Sequence, residues 1–354
     1  MNDNDTFALL EKLIRTRPVT TDPDRVNAAT AVLREFLESR GVFCRTEEFA
    51  GRHILYASNR ESGTPDVILN SHMDVVPAAD AQFEPVVRGG RMYARGTCDC
   101  LGNAVCLAQI LLAAKTHVAA VFSADEETGG DTTKHMVELG YKAKHAVLIL
   151  DSGDDSIVYA QKGVLVVRLT AKGRAGHAAY PWKCENPIDK LAAGYAKFRA
   201  AWQNPSGETD WRNSLSACMT SAGNAPNQVP GEASMTLNFR LVDGASRETV
   251  LNTLRETTGC EIALGEDIPP VEFDKDGPVF QLLRRTMSAA LGRDIPLTRL
   301  CGATDSRHWR ELGIPVPVLG VTGGDEHGAD EYVELDSIGQ TADAIVEFAA
   351  ALAE

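Results

Sequence analysis

Asp66-Val67-Ile68-Leu69-Asn70-Ser71-His72-Met73-Asp74 reads as a buried strand that runs directly into a histidine and a carboxylate. Its apolar residues are continuous, not alternating, which suits a strand covered on both faces. The pattern recurs downstream. Val118 to Ala124 is an apolar strand followed by Asp125-Glu126-Glu127, and Ala146 to Leu150 is followed by Asp151. Helical segments, Gly102 to Lys115 and Thr132 to Leu139, separate these runs. Such alternation predicts an α/β domain with a mostly parallel sheet. The carboxyl ends of parallel strands converge on the ligand crevice, so these distant acidic and histidine residues should meet.

Working outward, Phe7, Leu9, Leu10, Leu13 and Ile14 form a helical stripe with Thr6 as cap and Pro18 as terminator. A second helix is expected from Asp24 to Ser39. From residue 163 the order changes. Val164 to Thr170, Leu215 to Ser221, Ala233 to Leu241 and Cys260 to Leu264 read as strands. Asn186 to Gln203 and Ser246 to Thr258 read as helices, giving the β-α-β-β-α-β order of a ferredoxin-like module. The α/β style then resumes, with helices from Pro278 to Leu291 and Thr304 to Leu312, the strand Val316 to Val321 and a C-terminal helix. The expectation is a split catalytic domain, 1–162 and 274–354, with residues 163–273 inserted as a lid.

At 354 residues two domains are the default. A net charge of -14 argues against nucleic acid or an anionic membrane as partner. No apolar run approaches the ~18 residues of a membrane span. The polar, acidic start Met1-Asn2-Asp3-Asn4-Asp5 lacks the pattern of a secretory signal. Eight scattered cysteines without a C-x-x-C pair suit a reduced, cytoplasmic chain.

The candidate chemistry lies in five segments. His72 is a candidate ligand, and Asp74 two residues on could accept its other ring N–H and fix the tautomer. Asp99, in a turn between Gly96 and Gly102, could offer one oxygen to each of two metals. Cys98 and Cys100 flank it and read as small buried packers. Glu126-Glu127 closes an apolar strand. Two adjacent carboxylates repel unless cations or a shared proton compensate, so one can bind metal while its neighbour handles a proton. Asp151 follows another strand, and His327 lies in the loop Gly323-Gly324-Asp325-Glu326-His327-Gly328. Asp125 reads as peripheral, and Asp154 and Asp155 as solvated. Carboxylates with imidazoles suit Zn²⁺ or its neighbours better than Ca²⁺ or Mg²⁺.

Ser71-His72-Met73-Asp74-Val75-Val76-Pro77, Arg95-Gly96-Thr97-Cys98-Asp99-Cys100 and Ala124-Asp125-Glu126-Glu127-Thr128-Gly129-Gly130 resemble segments of a family of di-zinc hydrolases. This is the aminoacylase / acetylornithine deacetylase / succinyl-diaminopimelate desuccinylase / carboxypeptidase G2 family (metallopeptidase family M20). Gly176-His177-Ala178-Ala179-Tyr180-Pro181, with Glu185-Asn186-Pro187-Ile188, is similar to the lid of its desuccinylase branch. Ala303-Thr304-Asp305-Ser306-Arg307 and His327 with Glu331-Tyr332 complete a resemblance that spans nearly the whole chain.

The resemblance implies a zinc-exopeptidase-like α/β catalytic domain and a ferredoxin-like lid that dimerises. It implies one metal on His72 and Asp151, a second on Glu127 and His327, and Asp99 bridging them. Zinc is the expected ion, with cobalt or manganese as substitutes. Glu126 would be the general acid/base and Asp74 the orienter of His72. His177 would reach the active site of a second copy in a homodimer and stabilise the oxyanion. Asn227, Arg240 and Arg307 would hold a substrate carboxylate. The expected reaction is removal of an acetyl- or succinyl-type acyl group from an N-acyl amino acid through a metal-bridging hydroxide. Dipeptidase or carboxypeptidase action is the alternative within the family. A non-catalytic binding protein would be marked by loss of Glu126 or of a ligand, and none is lost. A redox role for Cys98 and Cys100 has the wrong spacing. Two departures stand out. Leu101 replaces the family's usual lysine, and Gln161-Lys162 with Val164 replaces an arginine pair and a serine that help read a dicarboxylic acyl group.

Overall fold

The computed structural model describes residues 3–151, 155–207 and 209–353; Met1, Asn2 and Asp154 lie outside the described residues. The chain forms two units. One comprises Met1–Tyr159, Phe273–Arg299 and Thr304–Glu354, the other Ala160–Glu272 and Leu300–Ala303.

In the first unit, Val67–His72, Val118–Ser123 and Ala146–Leu150 are buried along their whole length. Val118–Ser123, Val67–His72, Ala146–Leu150 and Val318–Leu319 lie side by side in that order and all run parallel. Complete burial requires both faces of this block to be covered, as the continuous apolar runs predict. The sheet is mixed, however. The hairpin Phe43–Phe49 and Arg52–Ser58 extends it antiparallel on one side, and Ile157–Gln161 on the other. Charged residues such as Arg45, Glu47 and Glu48 break the apolar run of this hairpin, so its strands carry no strong sequence signal.

Local boundaries follow ordinary chemistry. Asp22 caps the helix Pro23–Glu38 by accepting the Arg25 N–H. The first helix spans Asp3–Arg15, so Thr6 lies inside it and is not its cap. The buried Thr6 hydroxyl instead accepts from Gln109 Nε2 at 2.6 Å. Where a helix was expected from Thr304 to Leu312, there is one turn, Ser306–Trp309, followed by the 3₁₀ turn Arg310–Leu312. The expected strand Val316 to Val321 is only Val318–Leu319. Pro315 and Pro317 accept bonds from Val147 and Ile149 but have no N–H to donate. The C-terminal helix is Leu335–Leu352.

The second unit holds a four-stranded antiparallel sheet ordered Ser214–Ala222, Glu232–Leu241, Gly163–Lys172, Glu261–Ile268. The helices Pro187–Ala200 and Ala245–Thr258 complete the ferredoxin-like pattern. Leu165, Val167, Leu169 and Ala171 alternate toward a core shared with Leu191, Phe198 and Leu254, as period two requires. Leu300–Ala303 joins this unit, with the Leu300 carbonyl accepting the Lys162 N–H at 3.1 Å. No helix among the described residues is long and apolar enough to cross a membrane.

Candidate metal centre

Parallel pairing aligns the carboxyl ends of three strands of the first unit. His72 pairs with Ser123, and Leu150 pairs with Leu319, so the residues just beyond share one edge. Asp99 arrives on the turn before the helix Leu101–Ala113. This turn closes tightly because Gly102 lies under it, where an added Cβ would sit 2.1 Å from the Thr97 carbonyl oxygen. The Asp99–Cys100 peptide is cis. Asn103, which the sequence did not flag, braces the turn by donating to the Cys98 carbonyl (2.8 Å) and accepting from Val321 N (2.9 Å). Its sequence signal is that it is one of two amides in a mostly apolar helix.

Asp99 stands between two donor groups. Its Oδ1 is 2.9 Å from His72 Nε2, which is 3.4 Å from Asp151 Oδ1. Its Oδ2 is 3.0 Å from His327 Nε2, which is 3.2 Å from Glu127 Oε2. Ligand atoms in each of the sets His72–Asp99–Cys100–Asp151 and Asp99–Glu127–His327 lie within 4.8 Å of one another. Cys100 is a neighbour of the first set, its thiol donating to the Leu150 carbonyl at 3.0 Å. Burial pushes that thiol up to about 12, so packing is its role at neutral pH. All eight cysteines are free.

The His72 ring is held by its Nδ1–H donating to the Asp74 carbonyl oxygen at 2.8 Å, while the Asp74 carboxylate is 3.4 Å away. That bond leaves Nε2 facing Asp99. The Asp74 carboxylate, expected from sequence to orient the ring, also accepts the backbone N–H groups of Glu126 (3.2 Å) and Glu127 (3.3 Å). Asp125 turns away and accepts from the Thr132 backbone and hydroxyl. Asp155 accepts from Thr322 Oγ1 at 2.6 Å.

The electrostatics are those of a cation site. Burial opposes ionisation of Asp99, but hydrogen bonds from His327 and His72 hold its carboxyl well below the usual range. Burial pulls His72 down, and its bonds to Asp151, Asp74 and Asp99 more than reverse this. Asp99 and Glu127 push His327 up to about 10. Glu126 is pushed well above the usual carboxylate range by burial, with Asp151 and Asp305 adding to it and His72 and Arg307 opposing. Burial also raises Asp151. Glu127 Oε1 is buried without a hydrogen-bond partner among the described residues. An orphaned carboxylate oxygen beside carboxylates that only imidazoles neutralise fits a divalent metal.

Arg307, on the turn Ser306–Trp309, is buried with Nη1 3.9 Å from Glu126 Oε1. Asp305, part of the quoted Ala303–Arg307 segment but given no role from sequence, accepts from Ser123 (3.0 Å) and Thr133 (2.5 Å). Leu101 is buried, its N–H bonded to the Gly96 carbonyl. In the second unit, Gly176–His177 pairs with Gln228–Val229, and Ala178 N donates to the Asn227 carbonyl at 2.9 Å. His177 and Asn227 therefore lie together on one exposed two-stranded ribbon, whereas Arg240 lies on the four-stranded sheet opposite Ser214 and Val164.

Residues 68–351 match Peptidase family M20/M25/M40. A succinyl-diaminopimelate desuccinylase from Acidiphilium cryptum is 27% identical over 374 residues, covering 96% of each chain. The structure of aminopeptidase PepT from Bacillus cereus superposes with a TM-score of 0.84 at 19% identity over 100% of both chains. The M20 metallo-carboxypeptidase Sso-CP2 from Sulfolobus solfataricus gives 0.82 at 17% identity over 99% of both. A strand-end cluster of carboxylates and imidazoles in a chain that matches this metal-dependent family over most of its length leads to one conclusion: the chain belongs to peptidase family M20/M25/M40 and is a hydrolase of amide bonds.

Proposed function

We propose that the chain removes an acetyl- or succinyl-type acyl group from an N-acyl amino acid with a free α-carboxylate, using two divalent ions, zinc foremost. One observation carries this reading. Asp99 turns one carboxylate oxygen toward His72 and the other toward His327. In this reading His72 and Asp151 would hold one ion and Glu127 and His327 the other, with Asp99 offering one oxygen to each side. Divalent ions bound there supply Lewis acidity for the amide carbonyl and lower the pKa of water. Glu126, with its raised carboxyl, takes a proton from water and returns it to the leaving amine. Arg307, with Asn227 and Arg240, pairs with the substrate carboxylate, since guanidinium matches carboxylate geometry. The inserted module acts as lid and dimer contact, and His177 of a second copy donates to the developing oxyanion.

One observation favours a second reading, a dipeptidase or carboxypeptidase of the same family. Lys162 is buried, its ammonium donates to the Arg212 carbonyl at 2.9 Å, and it faces the Trp211 ring. A lysine so engaged is a poor substitute for an arginine pair in reading a dicarboxylic acyl group, so an acetyl group or a peptide is favoured over succinyl. Chelator-stripped protein reloaded with Zn²⁺, Co²⁺ or Mn²⁺ should hydrolyse one class within a panel of N-acetyl amino acids, N-succinyl amino acids and dipeptides. Full activity in a preparation shown by elemental analysis to lack metal would overturn the reading.

A further inference from the structure

Asp99 and His327 ride on two loops far apart in sequence, and one buried ion pair ties those loops together. Arg95 and Glu331 are 3% and 1% exposed. Glu331 Oε1 accepts the backbone N–H groups of Cys98 and Asp99, each at 3.2 Å, and Oε2 meets Arg95 Nη1 at 2.5 Å. The other terminal nitrogen of Arg95, Nη2, donates to the carbonyls of His327 (2.8 Å) and Gly328 (3.0 Å). A continuous chain of charge-assisted bonds thus runs from the peptide of the shared carboxylate to the peptide of the second histidine.

The two halves of the centre need such support unequally. His72 is 1% exposed at the end of a buried strand whose register is set on both sides. The His327 side chain is 54% exposed, so packing cannot hold it. Its backbone is left-handed, at φ 61°, as is that of Asp325 at 56°. Non-glycine residues in that region cost about 1–2 kcal/mol each, so hydrogen bonds must hold the loop. Gly323, at the base of the same hairpin, lies so close to the Asp99 turn that an added Cβ would sit 2.4 Å from the Cys98 Cβ.

We propose that the Arg95–Glu331 pair is a positioning clasp specific to the Asp99–Glu127–His327 half of the centre. The inference rests on the two-ion reading above. The guanidinium fork is essential because it reaches Glu331 and two carbonyls at once, which a lysine ammonium cannot do with the same geometry. Groups that orient metal ligands typically contribute about 10–100-fold to metal affinity. Among the described residues, the half built on His72 and Asp151 makes no bond to the clasp other than through Asp99.

Co²⁺ titration of chelator-stripped protein, followed by visible absorption and elemental analysis, tests this without an activity assay. Wild type should fill in two steps. Arg95→Lys and Glu331→Gln should keep the first step and weaken the second by roughly 10–100-fold. The double variant Arg95→Met/Glu331→Met leaves no charge unpaired but strips the Cys98 and Asp99 N–H groups and the His327 and Gly328 carbonyls of their partners, so it should weaken the second step alike and lower the thermal midpoint. If a variant fails to fold, Arg95→Lys, the mildest, decides. Two steps at wild-type affinity in the variants, or both steps weakened equally, would overturn the clasp while leaving the two-ion reading intact. A single step in wild type would overturn both.

Discussion

Asp74→Asn separates the role this structure assigns to Asp74 from the one its sequence position suggests. The side chain is fully buried and accepts from Glu126 N and Glu127 N, while the His72 ring already bonds the Asp74 carbonyl. A carboxylate presents two acceptor oxygens, and an amide presents one. After substitution one of the two backbone N–H groups must face an NH₂. The loss is one charge-assisted bond, about 1.5–3 kcal/mol, plus a buried unsatisfied donor at about 1–3 kcal/mol. Removing a buried charge gives part of this back, so a net cost of about 2–4 kcal/mol is expected. The Glu126–Glu127 turn should also shift, weakening metal binding about 10–100-fold through Glu127. Urea unfolding of the chelated protein reads the first quantity, taken from the transition of the α/β unit because two units need not unfold together. Metal titration reads the second. A stability loss below about 1 kcal/mol with unchanged metal affinity would show that Asp74 does not brace the acidic pair.

Glu126→Gln should lose several orders of magnitude in kcat while retaining metal, and Glu127→Gln should lose metal; swapped outcomes in elemental analysis would reverse the two roles. Zn²⁺ uptake at pH 7.5 should release protons, because His327, held near 10, and His72 are protonated in the metal-free site. Apparent affinity should therefore fall as pH drops below about 10, and calorimetry in buffers of different ionisation enthalpy would expose an absence of release. Arg307→Ala should cost on the order of 2–4 kcal/mol in kcat/KM, and amide-blocking the substrate carboxylate should cost wild type similarly but the variant little. Equal turnover of blocked and free substrates would remove the carboxylate clamp. Mixing His177→Ala with Glu126→Gln chains under subunit exchange should regenerate some activity, and none despite demonstrated exchange would count against a histidine acting across a dimer.

Much of this protein could be read from residues alone. The apolar runs ending at His72, Ser123 and Leu150 need two covered faces, and that need is written into their composition. The β-α-β-β-α-β order of elements from residue 163 likewise identified the second module, whose four-stranded sheet the structure shows. The flanking hairpin Phe43–Phe49 and Arg52–Ser58 escaped notice because its stability comes from pairing to neighbours, not from a pattern of its own. Sequence order alone placed His72, Asp99, Glu127, Asp151 and His327 at strand ends and in loops. Only tertiary structure decided which atoms meet: that Asp99 divides its oxygens between two histidines, that Asp74 serves the acidic pair, and that Arg95 and Glu331 join two loops. Strand and helix periodicity is a local property of the chain. A hydrogen bond between Arg95 and the carbonyl of His327 depends on how the intervening chain closes, and no local pattern encodes it.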